Sequence, residues 1–425
     1  MSSDRDLFLA YGALMSGAIL PIYHGSFASL RTPLSTQKAL KKSRKGEDDE
    51  DDDESVTLPE TLTAEDAYWL PVIGSVVLFS MFLVFKYLDK VWVDRVLGFY
   101  FGFVGTFAVT KVFLLIARGT GLLRQFTASR FLLTQTKPDA KTKKSQTVDI
   151  LALRVTALHP PIVLASSGLV VAYLLTRHWI ASNVIALSLS LSSISMLSLD
   201  SFQTGGIMLM GLFLYDIFWV FGTNVMVSVA RGFDGPIKIV WPKNLFAGLI
   251  DSNTKWQMTM LGLGDIVIPG IFVALALRFD QHLYVKKHPK SLITKNDTGF
   301  PKPYFHATMI GYVAGLATTM GVMHFTKAAQ PALLYLSPAC ILSVALRALQ
   351  RGELQQVWSW KEETEDEDEK KKSAANKKKA IKDQAEDGEE EQEWEGVDGE
   401  GTVSGSEISN KKGSTRRRGK KSSAE

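Results

Sequence analysis

One cysteine, Cys340, is all the chain has in 425 residues, which excludes an internal disulfide. Within its apolar run that thiol reads as a small core hydrophobe. His306, His324 and Cys340 form no metal-ligand spacing, so neither a metal nor any other cofactor is expected. Excess charge of either sign is also lacking. Basic residues number 48 against 44 acidic, for a net charge of +4, and no broad basic field invites nucleic acid. The first apolar run, Leu7 to Tyr23, has neither a basic leading region nor an Ala-x-Ala-like cleavage site. It is therefore expected to stay as a span rather than be removed as a signal peptide. No internal repeat is visible.

Long apolar runs are what the chain does have. The overall hydrophobic content of 46% looks ordinary only because those runs alternate with two charged tracts, 37–54 and 361–425. A spanning helix needs about 20 mostly apolar residues. On that criterion nine spans are expected, at 7–23, 67–85, 96–117, 160–176, 179–199, 205–230, 257–279, 305–323 and 331–349. The fourth and fifth are parted only by Arg177-His178, and one merged helix would be too long for the bilayer. The fold class is thus an all-α polytopic membrane protein with nine transmembrane helices and a disordered charged loop and tail. Its organisation divides into an N-terminal span with the start of a loop (1–36), a charged disordered loop (37–66), spans 2–5 (67–199), spans 6–9 (200–350) and a charged disordered tail (351–425). Segments so rich in Lys, Glu, Asp and Ser bury too little apolar surface to offset chain entropy.

Lysine and arginine set the orientation. Arg31, Lys38, Lys41, Lys42, Arg44 and Lys45 fall in the connection 24–66. Eight more basic residues fall in 118–159, and Lys286, Lys287, Lys290, Lys295 and Lys302 follow the seventh span. These connections share one face if the N-terminus lies outside the cytosol and the C-terminus within it. The acceptor triplet Asn296-Asp297-Thr298 is then cytosolic and expected to carry no glycan. Lys111, near the cytosolic end of the third span, is expected to snorkel, and Asn224 to bond between helices.

Only two acidic residues fall inside the nine spans: Asp216 in GLFLYDIFWVFGTN and Asp265 in MLGLGDIVIPG. A lone carboxylate at the bilayer centre costs roughly 2.5–3.5 kcal/mol on insertion scales. At about 1.5 Å per residue, Asp216 lies roughly 16 Å into its span. Asp265 lies roughly 12 Å into its own, entering from the other face of a core about 30 Å thick. The two depths agree, so antiparallel neighbours would bring the carboxylates together. Facing acids can hold one proton between them, because repulsion and desolvation both disfavour double ionisation. One carboxylate can then take a proton from water while the other, protonated, polarises a peptide carbonyl. A proton-coupled transporter also places acids at mid-depth, and on the pair alone the two readings stand level. A non-catalytic quality-control scaffold is a third.

The flanks separate them. Gly262 and Gly264 precede Asp265, and Pro269 follows one turn later. Such a loosened helix end suits a substrate that must be extended to be cut, although glycines also serve simply to pack membrane helices. In chain order YD, GLGD and the PAL of QPALLYLSPAC then resemble the signature of the intramembrane aspartyl proteases. The flanking strings are most similar to the signal peptide peptidase branch rather than the presenilins. The resemblance is densest from about 200 to 350. It implies that Asp216 and Asp265 are the catalytic pair and that Tyr215, Gly262, Leu263 and Gly264 are active-site neighbours. It also implies that Pro331, Ala332 and Leu333 pack near the pair. It further implies nine helices, membrane-protein and signal-peptide substrates in the lipid bilayer, and a homo-oligomer or quality-control complex. An endoplasmic reticulum membrane location follows from it alone, since no dilysine signal stands at the KKSSAE end.

Overall fold

The computed structural model describes residues 2–33, 60–121, 128–137, 146–223, 235–243, 256–289, 292–326 and 330–362, with a few isolated positions between. Most of the charged loop, nearly all of the charged tail and Asn224 lie outside the described residues. Nine long helices fill the rest: α1 (Ser2–Ala28), α2 (Ala64–Tyr87), α3 (Lys90–Gly119), α4 (His159–Thr176), α5 (Trp179–Met196), α6 (Phe202–Phe221), α7 (Gly264–Lys287), α8 (Pro303–Thr326) and α9 (Leu333–Arg351), with a short α10 (Leu354–Ser359) after them. Eight of the nine are long and apolar enough to cross a membrane. The exception is α8, whose apolar content is diluted by Gly311, Gly315, Thr318, Thr319 and Gly321. The chain is a polytopic, helical membrane protein.

Three two-stranded ribbons interrupt the helices: β1 (Glu60–Leu62) with β4 (Leu197–Leu199), parallel; β2 (Ala128–Lys137) with β3 (Gln146–Thr156); and β5 (Lys238–Pro242) with β6 (Met258–Gly262), both antiparallel. The last corrects the expected seventh span. A short apolar run such as MTMLG cannot be assigned to helix or strand by periodicity alone, and here it pairs as a strand. The helix starts only at Gly264, so Asp265 sits in its first turn rather than a third of the way along.

Helix α7 is the centre of the body. Residues Ile271 to Leu277 are all buried, whereas α2 buries only Ala67 and turns its apolar side chains outward. Two close approaches lock neighbours to this frame. A Cβ on Gly205 of α6 would come within 2.7 Å of Phe272 on α7. On α8, a Cβ on Gly311 would fall 2.7 Å from Ser343 of α9, and one on Gly315 3.0 Å from Ala339, the small-x3-small packing of membrane helices. The joint between α4 and α5 turns at Arg177, in the left-handed region at φ 50°, and its N–H donates to the Tyr173 carbonyl at 2.8 Å. Lys111 does not snorkel: its Nζ donates to Ser195 Oγ on α5 at 2.8 Å.

The ordered chain runs past the expected boundaries. Residues 60–66, read as loop, supply β1 and the start of α2. Beyond 350, α10 leads to Trp360, which packs on Phe202, Phe279 and His282. Glu362 then reaches Arg278 of α7, Nε to Oε2 at 3.1 Å, and its N–H donates to the Asp200 carbonyl at 2.7 Å. Asp280 is buried too, accepting the N–H groups of Tyr304 and Phe305 at the start of α8.

Candidate active site

Asp216 lies in the last third of α6 and is 4% exposed. Its Oδ2 accepts the backbone N–H of Leu333 at 3.2 Å. Leu333 opens α9, where the first N–H groups have no partner within the helix and carry the positive end of its dipole. An acid on one helix therefore caps the start of another, 117 residues on in sequence. Pro331 and Ala332 precede it, both buried, and their carbonyls accept from Leu334, Tyr335 and Leu336 to begin the first turn. The proline's missing N–H leaves nothing unsatisfied there.

Asp265 is half-buried in the first turn of α7, and the Asp216 carboxylate lies close enough to act on it electrostatically. A Cβ on Gly262 would stand 3.4 Å from Asp265 Oδ2, in ordinary contact with the carboxylate. Leu263 links strand to helix: its N–H donates to the Ile237 carbonyl at 2.9 Å, while its own carbonyl accepts from Ile266 and Val267. Gly264 is exposed. Tyr215 is half-buried, with its ring near Gly74 of α2 and Trp219 of its own helix. Its neighbour Asp216 is in electrostatic reach.

The structure thus gathers the YD, GLGD and PAL segments at one place. It adds two features that sequence patterns did not flag. Tyr312 of α8, fully buried, donates its hydroxyl to the Asp265 carbonyl at 3.3 Å, a second hold on the first turn of α7. The only sequence signal for it was a polar tip between Gly311 and Gly315. The second is the β5–β6 hairpin. Bonds from Leu263 to Ile237 and from Lys243 to Gln257 bracket the ribbon, and antiparallel bonding alternates between them. Leu261 and Thr259 therefore point their backbone groups at β5, while Met258, Met260 and Gly262 point theirs away. That outer edge of β6 has no strand partner among the described residues. Met260 on it is 53% exposed.

Two acids in electrostatic reach of each other, with a strand edge leading to one and a backbone donor on the other, form an arrangement chemically able to share a proton and to receive an extended peptide. Comparison with known proteins agrees. A profile of the signal peptide peptidase family matches residues 54–364. The chain is 37% identical over 372 residues to the signal peptide peptidase of Mus musculus, with 85% of each chain covered. It is 36% identical over 372 residues to that of Homo sapiens at the same coverage. A probable intramembrane protease of Schizosaccharomyces pombe is 36% identical over 303 residues, which is 71% of this chain and 84% of the relative.

Proposed function

Because the chain belongs to the signal peptide peptidase family and is an intramembrane aspartic endopeptidase, we propose that Asp216 and Asp265 are the two acids that perform its chemistry. The observation that carries this is the meeting of three segments far apart in sequence: Asp216 bonded to Leu333, with Asp265 in charge reach. One carboxylate takes a proton from water as its oxygen attacks the scissile carbonyl. The other gives its proton to the carbonyl oxygen, forming a gem-diol. The first acid then gives its new proton to the amide nitrogen while the second takes one back from a gem-diol hydroxyl, so that the C–N bond breaks to a carboxylic acid and an amine and both acids return to their starting state. The proton belongs to the pair, not to one named aspartate.

Gly262, Leu263 and Gly264 set the turn that presents Asp265. Pro331, Ala332 and Leu333 set the donor on Asp216, and Tyr215 packs beside it. The substrates are membrane-protein or signal-peptide segments; more narrowly, we propose signal peptides and short anchors inserted with a cytosolic N-terminus. The outer edge of β6 offers such a segment backbone partners once its helix has loosened. The catalytic half would comprise 200–350.

A helical peptide carrying a hydroxyl isostere of the gem-diol tests the reading. It should bind the purified chain and lose at least roughly tenfold in affinity when either aspartate becomes alanine, since transition-state mimics draw their affinity from the reacting groups. Equal binding to the double variant would favour a scaffold over a protease.

The proposed location is the endoplasmic reticulum membrane, with a lumenal N-terminus and a cytosolic C-terminus. The last turns of α3, α7 and α9 carry Arg118, Lys286, Lys287 and Arg351, which supports that orientation. Asn296 gives an independent check, because the triplet is exposed and Thr294 folds it into a turn on Asp297. Accessibility does not limit its modification, so the membrane side decides. No endoglycosidase-sensitive shift is expected; one that vanishes in Asn296→Gln would reverse the orientation.

A further inference from the structure

The β5–β6 hairpin runs straight into the turn that carries Asp265, so whatever fixes the hairpin fixes that acid. Helix α5 grips it through one side-chain amide. Asn183 Nδ2 donates to the Val240 carbonyl at 2.7 Å, and Asn183 Oδ1 accepts the Val240 N–H at 2.9 Å. A carboxamide bonded both ways to one residue imitates the backbone of a neighbouring strand. The bonding pattern of the ribbon requires this geometry: Val240 is paired with Met260 at a position where neither turns its backbone groups inward. One helical turn earlier on the same face of α5, Trp179 packs edge-on against Trp241, ring centroids 5.5 Å apart. Two successive residues of β5 are therefore held by two residues of α5 spaced four apart. From the other side Ile239 lies against Gly17 of α1, within 3.7 Å of where a Cβ would stand.

We propose that Asn183 is a positioning residue for the reaction. It occupies the outer edge of β5, so that β6 alone is open to an incoming strand. It also holds the hairpin at the height that brings Asp265 to Asp216. The inference rests on the reading of those aspartates as the catalytic pair. Asn183 touches neither acid and acts only through β5, β6 and Leu263. A polar side chain on a membrane helix would ordinarily be ascribed to helix packing. A packing role, however, would not need both halves of an amide aimed at the same strand residue.

The test uses the full-length purified chain and a defined membrane-anchor peptide. Asn183→Leu keeps the branching at Cγ and removes both bonds; Asn183→Gln keeps the amide on a stem one carbon longer. Misplacement of a reacting group by about 1 Å can cost on the order of 100-fold, so Asn183→Leu should lower kcat by about 10- to 100-fold with KM changed by less than about twofold. Its cuts should spread over neighbouring peptide bonds, because an unclamped hairpin no longer fixes register. Asn183→Gln should recover part of kcat and the single cut. Wild-type kcat and a single cut in Asn183→Leu would overturn the proposal, as would a loss of activity that Asn183→Gln does not relieve. Asp216→Ala and Asp265→Ala are run alongside. If they still cleave, the catalytic pair itself is misassigned, which is a different failure.

Discussion

Changing Asp216 or Asp265 to asparagine is expected to lower kcat for a membrane-anchor peptide by roughly 10²–10⁴-fold, the range that one general acid or base contributes. Asparagine is the informative replacement. Its Oδ1 can still accept the Leu333 N–H, so the start of α9 keeps its cap and the body its packing. What disappears is a group able to exchange a proton. Each aspartate needs the other, since one must accept from water while its partner donates to the carbonyl oxygen. Losing both should therefore cost little more than losing either. That non-additivity separates a dyad from two acids that merely line a polar path, whose losses would add. The measurement is single-turnover cleavage by wild type, both single variants and the double variant. Either single variant within tenfold of wild type would remove that aspartate from the chemistry.

Those acids were legible in the sequence for a simple energetic reason: carboxylates inside apolar runs are costly enough to stand out. The helices were legible from run length, whereas PAL stood out only through the family resemblance, since a proline at a span start is otherwise unremarkable. What hid was anything that departs from the helical rule within an apolar stretch. MTMLG is as apolar as the helix it precedes, so by hydropathy β6 merges with α7 and the span containing Asp265 begins seven residues ahead of the helix. Nothing in the sequence marks Asn183 out among the serines of its helix, because its partner is the backbone of a strand that hydropathy does not reveal. Hydropathy also sets boundaries where charge begins. The chain from Gly352 to Glu362 therefore reads as tail, although it folds back on the body.

That returning segment carries the second large expectation. Arg278 is 4% exposed on α7, the most enclosed helix, and Glu362 is its one ion-pair partner among the described residues. Neither its Nε nor its Nη2 makes a hydrogen bond among the described residues, so the contact with Glu362 is one of charge, and Arg31 adds a repelling charge nearby. Glu362→Ala leaves a buried guanidinium uncompensated, which for such pairs costs about 3–5 kcal/mol. The thermal midpoint of the purified chain should fall by several degrees, and cleavage should decline with the folded fraction. The variant also loses the contacts of one side chain, so a second comparison identifies the cause. Arg278→Met with Glu362→Met removes both charges and keeps apolar volume, and it should restore most of the midpoint. If the double variant is as unstable as Glu362→Ala, the damage lies in the fold-back of Trp360 to Glu362 against α6 and α7 rather than in the stranded charge. If Glu362→Ala melts with wild type, Arg278 is neutralised by another route and the tail residue is dispensable. Because Trp360 rests on both Phe202 at the start of α6 and Phe279 on α7, the same variants ask whether this short return holds together the two helices that bear the acids.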